Sequence, residues 1–461
     1  MTRRKTVSVR MSTVTPSAAR SLAHEALCAA CLVVLGLPNQ LIAADFTIHD
    51  GDRVAFLGDS ITEQRLYTTF IEAYALTRHP RWKLTFRNLG WSGDTAWLRN
   101  RSGIDEKALF AADGATQQKM VEEAAEHGLG RDVLPLAPTL VTIDLGMNDS
   151  YAARIEEAYP AFMRAETALV EVLKRHGMRV TLLTPQAIEG NGPAPALDGA
   201  NKALGIVASG IGEIAGKTGV PVIDQYTPYL SLCVAAHAAQ PNRFIYSDGG
   251  DRIHPGPTGQ TVMAWIILKG MGATSLVSRA SIDRSTKTVV SVEGCLIDHL
   301  QVGESALSFD RLDDALPMPI HPDAAPALAL APILADLNRY ELQVTGLASL
   351  RYDIVIDGRS VSTATAEQLA QGWNLATSAG AITDQVQSLL KMVVQKNNLF
   401  FNRWRNVQLY AFPNWAQVPT VLTVRSDELA RLDRSIEQLE AQIDALRIPQ
   451  VHHVELRPIS P

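Results

Sequence analysis

The sequence is short of the features that mark several protein classes. Four cysteines are spread over 461 residues. Cys28 and Cys31 lie inside an apolar run, a poor setting for a metal or redox pair. That leaves Cys233 and Cys295, as one pair in an exported protein or as two buried thiols. Charge of one sign is also scarce: 42 Lys and Arg stand against 48 Asp and Glu, a net charge of -6. So even a balance gives no reason to expect nucleic acid or an anionic membrane surface as partner. The apolar run Ala26–Leu37 falls short of the roughly 20 residues that a membrane-spanning helix needs. Ligand-like histidine spacing is missing too. His79, His127, His176 and His237 stand apart, and His452-His453 is too short a run for a metal site. No convincing internal repeat is present.

What is there begins at the N-terminus. Arg3, Arg4, Lys5 and Arg10 form a basic start, Ala26–Leu37 an apolar stretch, and Ala43-Ala44 a small-residue flank before Asp45. This three-part layout is that of a secretory signal peptide. Residues 1–44 are therefore expected to be removed, leaving a mature protein that is periplasmic or extracellular. A buried N-terminal helix or an uncleaved anchor is the competing reading.

From Asp52 to about Gly272, strands alternate with helices. Apolar runs at Arg53–Leu57, Leu84–Leu89, Leu140–Leu145, Arg179–Thr184 and Val220–Ile223 read as strands. Between them, Leu66–Thr77, Gln117–Glu126, Ile155–Arg175 and Leu197–Lys217 have helical spacing, and a last helix starts at Pro257. Such alternation predicts a parallel sheet covered on both faces, placed at residues 46–275. Beyond it the texture changes. Short strands at Thr286–Val292, Ala306–Phe309, Glu341–Val344 and Tyr352–Ile356 predict a small β-rich accessory domain over 276–380. Leu316–Pro332, rich in Pro and Ala, reads as an irregular connection. Residues 381–461 read as a helical region, with Asp427–Leu446 strongly amphipathic.

Four motifs carry chemistry in combination. Gly58-Asp59-Ser60-Ile61-Thr62 follows the first strand, Asn88 to Thr95 with Gly90 and Gly93 the second, and Gly146-Met147-Asn148-Asp149 the third. The ends of parallel strands are where open α/β sheets gather ligands. Asp251-Arg252-Ile253-His254-Pro255 precedes the last helix. Taken singly, each is an ordinary turn or cap. Together they offer a hydroxyl nucleophile, Ser60, and an imidazole base, His254, oriented by a carboxylate, Asp251. They also offer two oxyanion donors, the Gly93 amide and the Asn148 side chain. Asp59 and Asp94 read as acceptors that shape these loops. Trp91 and Trp97 read as cleft-lining or packing residues.

This order of motifs resembles the SGNH (GDSL-like) hydrolase superfamily over roughly residues 50–273. The family's four signature residues fall on Ser60, Gly93, Asn148 and His254, and its Asp three residues before the His falls on Asp251. The resemblance implies a flavodoxin-like α/β/α three-layer sandwich with a five-stranded parallel sheet in the order 2-1-3-4-5. It implies a serine esterase with no metal and no organic cofactor, and the Ser60 amide as a third oxyanion donor. Activity is expected to rise with pH as the imidazole base loses its proton.

The expected substrate is an ester of a small molecule or glycan, with a short acyl group such as acetyl. An acyltransferase using the same residues, or a non-catalytic polysaccharide-binding surface protein, are the rival readings. Asn397–Arg405, dense in aromatic and basic residues, either docks the C-terminal helices or binds a polymer.

Overall fold

A computed structural model describes residues 45–459 apart from 153–154, 191–194 and 242. The expected signal peptide lies outside the described residues. Five strands build the first sheet: β1 (Arg53–Gly58), β2 (Thr85–Gly90), β3 (Leu140–Asp144), β4 (Arg179–Leu183) and β5 (Val222–Ile223). All pair in parallel, in the order β2-β1-β3-β4-β5.

Period-2 alternation sorts the strand residues between two cores. Val54, Phe56, Phe86, Leu140 and Leu183 face one layer, built on α2 (Leu66–Arg78) and α7 (Pro257–Gly270). Ala55, Leu57, Leu89, Val141, Ile143 and Leu182 face the other, built on α3 (Gly114–Asp132), α4 (Ile155–Arg175) and α5 (Gly199–Thr218). Because both faces are covered, β3 is buried along its whole length, and Leu140, Val141 and Ile143 do not alternate with exposed polar residues. This half also holds the single turn α1 (Ser60–Glu63), α6 (Tyr226–Ala239) and other short helical turns. Side chains start the helices: Asp113 caps α3 and Asp198 caps α5, while Pro257 opens α7.

The second half carries nine strands: β6 (Leu276–Asp283), β7 (Thr288–Glu293), β8 (Cys295–Val302), β9 (Leu307–Asp313), β10 (Arg339–Thr345), β11 (Arg351–Ile356), β12 (Arg359–Thr365), β13 (Trp373–Asn374) and β14 (Val451–Pro458). They form a four-stranded sheet, β13-β10-β6-β7, and a five-stranded sheet, β12-β11-β14-β9-β8. Ala280, Ile282, Leu342 and Val344 from one meet Phe309, Ile354, Val454 and Leu456 from the other in a shared core. Between β13 and β14 run two long helices, α8 (Ala381–Phe401) and α9 (Pro419–Leu446). Residues 451–458, read from sequence as part of a helical region, are thus a central strand of the accessory sheet. Cys233 and Cys295 are unpaired, buried thiols.

The connection over 316–332 lies against the first, parallel-sheet half. Leu316 N–H donates to Thr77 O at 2.9 Å, and Met318, Ala324 and Ala327 join the core over α2 and α7. Asn397–Arg405 also packs inward: Asn397, Phe400 and Trp404 are buried. No helix among the described residues is long and apolar enough to cross a membrane.

Candidate active site

The first, second and third motifs lie at the carboxyl ends of β1, β2 and β3, on one rim of the sheet. Asp59 caps α1: its Oδ1 accepts from Ile61 N–H at 2.9 Å, which makes Ser60 the first residue of the turn. The turn lies hard against β2. A Cβ on residue 90 would sit 2.1 Å from Glu63 N, so only glycine lets the two segments meet. Glu63 is thereby held beside the second motif, and its Oε2 accepts from Ser92 N–H at 2.6 Å.

Asp251 organises its own loop. Its Oδ1 accepts from the N–H groups of Ile253 (2.7 Å) and His254 (2.8 Å), and its Oδ2 lies 2.8 Å from His254 Nδ1. Since an ionised carboxylate only accepts, Nδ1–H is the donor and Nε2 is left as an acceptor. That nitrogen sits 2.9 Å from Ser60 Oγ. Burial raises the Asp251 carboxyl, but the hydrogen bonds from His254 and Ile253 outweigh it and hold the group below its ordinary value. It therefore stays ionised. The loop is pinned from behind. Glu189 accepts from Ile245 N–H at 2.6 Å and Ser247 N–H at 2.9 Å, and Arg252 donates to Asp198 at 2.7 Å.

Opposite Ser60, Gly93 adopts φ +79°, a left-handed conformation that glycine takes without strain. The N–H groups of Ser60 and Gly93 have no acceptor among the described residues. Asn148 Nδ2 donates to Asp94 O at 3.0 Å and approaches Asp59 Oδ2 at 3.3 Å. Asp94 is wholly buried; it accepts from Asn100 N–H at 3.2 Å and from Arg101 Nε at 2.5 Å. Beneath this rim lies a set of buried carboxyls. Burial, reinforced by Asp144, pushes Asp59 well above the carboxylate range. Burial takes Asp144 to about 7 against its hydrogen bonds with Gln225 and Tyr67, and burial with repulsion from Asp94 takes Asp149 to about 7 against the hydrogen bonds it accepts. A protonated Asp59 adds no negative charge to oppose an oxyanion.

The structure therefore brings Ser60, Asp251 and His254 into one hydrogen-bonded line, with Gly93 and Asn148 on the same rim. Trp97 is buried, donating to Glu106 at 2.8 Å, whereas Trp91 is partly exposed. Sequence reasoning did not pick out Glu63, Glu189 or Arg101, because isolated charged residues carry no spacing signal. Among the described residues, no group of three or more His, Cys, Asp or Glu side chains is arranged to hold a metal ion.

Residues 56–262 match the GDSL-like Lipase/Acylhydrolase family. No curated protein matches the chain in sequence. Among solved structures, a gut microbial diltiazem-metabolizing enzyme is 23% identical with a TM-score of 0.72, covering 89% of this chain and 98% of that one. The likeness in fold thus extends through the accessory half. An acetylxylan esterase from Geobacillus stearothermophilus is 18% identical, covering 49% of this chain and 96% of its own, with a TM-score of 0.35. An alpha/beta hydrolase enzyme from the metagenome of Lake Arreo, Spain, is 19% identical, covering 49% and 98%, with a TM-score of 0.35. Residues 56–262 are thus similar to the GDSL-like lipase/acylhydrolase family, and the chain is a serine esterase.

Proposed function

We propose that this esterase works through an acyl-enzyme on Ser60 and removes short acyl groups, such as acetyl, from a carbohydrate or other small ester outside the cytoplasm. The observation that carries the mechanism is the 2.9 Å contact between Ser60 Oγ and His254 Nε2, with Asp251 2.8 Å behind the ring. His254 takes the Ser60 proton as Oγ attacks the ester carbonyl. Asp251 keeps the tautomer and stabilises the imidazolium. The oxyanion is held by the N–H groups of Ser60 and Gly93 and by the Asn148 amide. Collapse expels the alcohol, which leaves with the proton from His254. Water then repeats the sequence on the acyl-enzyme.

Two observations support the substrate and the compartment. The Asp251 side chain is 60% exposed and that of His254 35%, an open setting that suits an ester borne on a bulky carrier. The basic, apolar and small-residue segments before Asp45 support export.

Hydrolysis of an aryl ester series from acetate to octanoate, by the wild type beside Ser60→Ala, tests the reading. Turnover by the wild type, fastest on acetate and abolished in the variant, is the expected result. Equal rates in the two proteins would remove Ser60 from the mechanism. A preference for octanoate would overturn the short-chain assignment.

A further inference from the structure

Trp91, two residues before Gly93, is the hub of a cluster that the family-matched segment does not complete by itself. Its ring lies between guanidinium groups. Arg101 and Arg131 each lie 5.3 Å from its centroid, and Arg405 lies on it at 3.3 Å. The first two are neutralised within the catalytic half. Arg101, wholly buried, pairs with Asp94 at 2.5 Å and Asp132 at 3.0 Å, and donates to Leu89 O at 2.5 Å; Arg131 pairs with Asp132 at 2.6 Å. Arg405 comes from the other end of the chain, beyond the matched residues.

Its counter-charge is Glu63. Arg405 Nη2 lies 3.7 Å from Glu63 Oε2, the same oxygen that accepts from Ser92 N–H at 2.6 Å. Arg405 Nη1 is buried with no hydrogen-bond partner among the described residues. A guanidinium so placed is fixed by stacking on one side and by one carboxylate on the other. Trp404 supports it from behind: buried, it meets Trp91 edge-on at 5.9 Å and lies 5.6 Å from the Arg101 guanidinium. Both residues sit in Asn402–Gln408, a π-helical stretch that follows α8. Widening the turn there changes the direction in which successive side chains project, and such stretches concentrate at functional sites.

The whole cluster acts on three consecutive residues. Trp91 is gripped through its ring, Ser92 through its amide, and Gly93 follows them with its N–H unpaired. We propose that Arg405 is a positioning residue: from the C-terminal helical hairpin it clamps the Trp91–Gly93 loop, directly and through Glu63, and so holds the Gly93 amide where the oxyanion forms. This rests on the oxyanion role assigned above to Gly93. The hairpin would then be a working part of the esterase site, contributing to turnover through the loop and not by touching substrate.

The test uses the full-length protein, with Arg405→Ala, Arg405→Lys and, as a control on the same hairpin, the exposed Arg431→Ala. Steady-state kinetics on an aryl acetate are read beside Ser60→Ala. Hydrogen exchange is measured over residues 90–96 in every variant. Arg405→Ala is expected to lower kcat by about 10- to 100-fold, the range for a displaced group away from the chemistry, with KM and Tm little changed. Arg405→Lys restores the charge toward Glu63 but not the planar stack, and should recover part of the loss. The Ser92 and Asp94 amides should exchange faster in Arg405→Ala, and Arg431→Ala should match the wild type throughout. Wild-type kcat in Arg405→Ala, or a loss that tracks Tm, would overturn the clamp while leaving Ser60-dependent hydrolysis intact. Unchanged exchange at residues 90–96 would overturn it even if the aryl acetate proved to be no substrate, an outcome that counts instead against the catalytic reading.

Discussion

Glu166 on α4 is wholly buried, and neither of its carboxyl oxygens has a partner among the described residues. Burial, with repulsion from Asp149 and Asp144, pushes its pKa up to about 8. In the unfolded chain that proton leaves near the ordinary Glu value of about 4.3. Between the two values the folded state binds more protons than the unfolded one, so stability falls as pH rises from about 4 to about 8. Asp144 and Asp149, at about 7, act in the same direction. Glu166→Gln cannot ionise and should flatten that fall. Calorimetric Tm values taken between about pH 5 and pH 8 would reveal it, and parallel curves for the two proteins would clear Glu166 of the effect. The site residues illustrate what a sequence discloses at this scale. Ser60, Gly93, Asn148, Asp251 and His254 sit in short motifs whose order and strand-end placement are visible in one dimension. Glu63 and Arg405 do not: they meet only because a strand, a turn and a distant π-helical stretch converge, and no local pattern encodes that meeting.

The long helices dock through buried polar groups as well as apolar ones. Lys396 on α8 reaches Glu72 on α2 at 2.6 Å, and Asn397 donates to the other Glu72 oxygen at 2.9 Å and to Thr69 at 3.0 Å. Both charged side chains are almost fully buried. Removing one partner strands the other charge in the interior, so Lys396→Met should cost about 3–5 kcal/mol in urea unfolding. The double variant with Glu72→Leu should recover much of that, since an apolar pair of similar bulk replaces an ion pair at little cost. A single variant as stable as the wild type would mean that water still reaches Glu72. Legibility differed by element for a physical reason. Strands covered on both faces, such as β3, are rich in apolar residues over their whole length. In β8 the alternation is broken by a register shift between Asp298 and Gln301, with His299 at φ +50°. In β14 an inward position is filled by His452, paired with Asp357 at 2.6 Å, in place of an aliphatic residue. Both strands escaped a search for hydrophobic period two.

At the scale of the molecule, the two halves share a core. Arg78 ties them together: its Nη2 donates to Leu337 O at 2.7 Å and its Nη1 donates to Leu276 O. Sequence texture marks the change near residue 275 because composition shifts there, but it cannot show that Leu389, Leu390 and Val393 of α8 return to the first core. The accessory sandwich is closed by the last strand. Leu456, fully buried, lies in β14 between β9 and β11. Leu456→Ala should therefore lower stability by about 2–5 kcal/mol, the usual cost of an unfilled core site. Denaturant titration checks this, and a loss below the error of the fit would argue that the sandwich is dispensable to the folded state. The position of β14 also sets a timetable. While the chain is being synthesised, β9 and β11 emerge before β14 with their edges open toward it, and unpaired edges invite pairing with other chains. Until the eight residues of β14 have emerged, the accessory sheet of a nascent molecule cannot close, so any chaperone that escorts it has its task defined by that one strand.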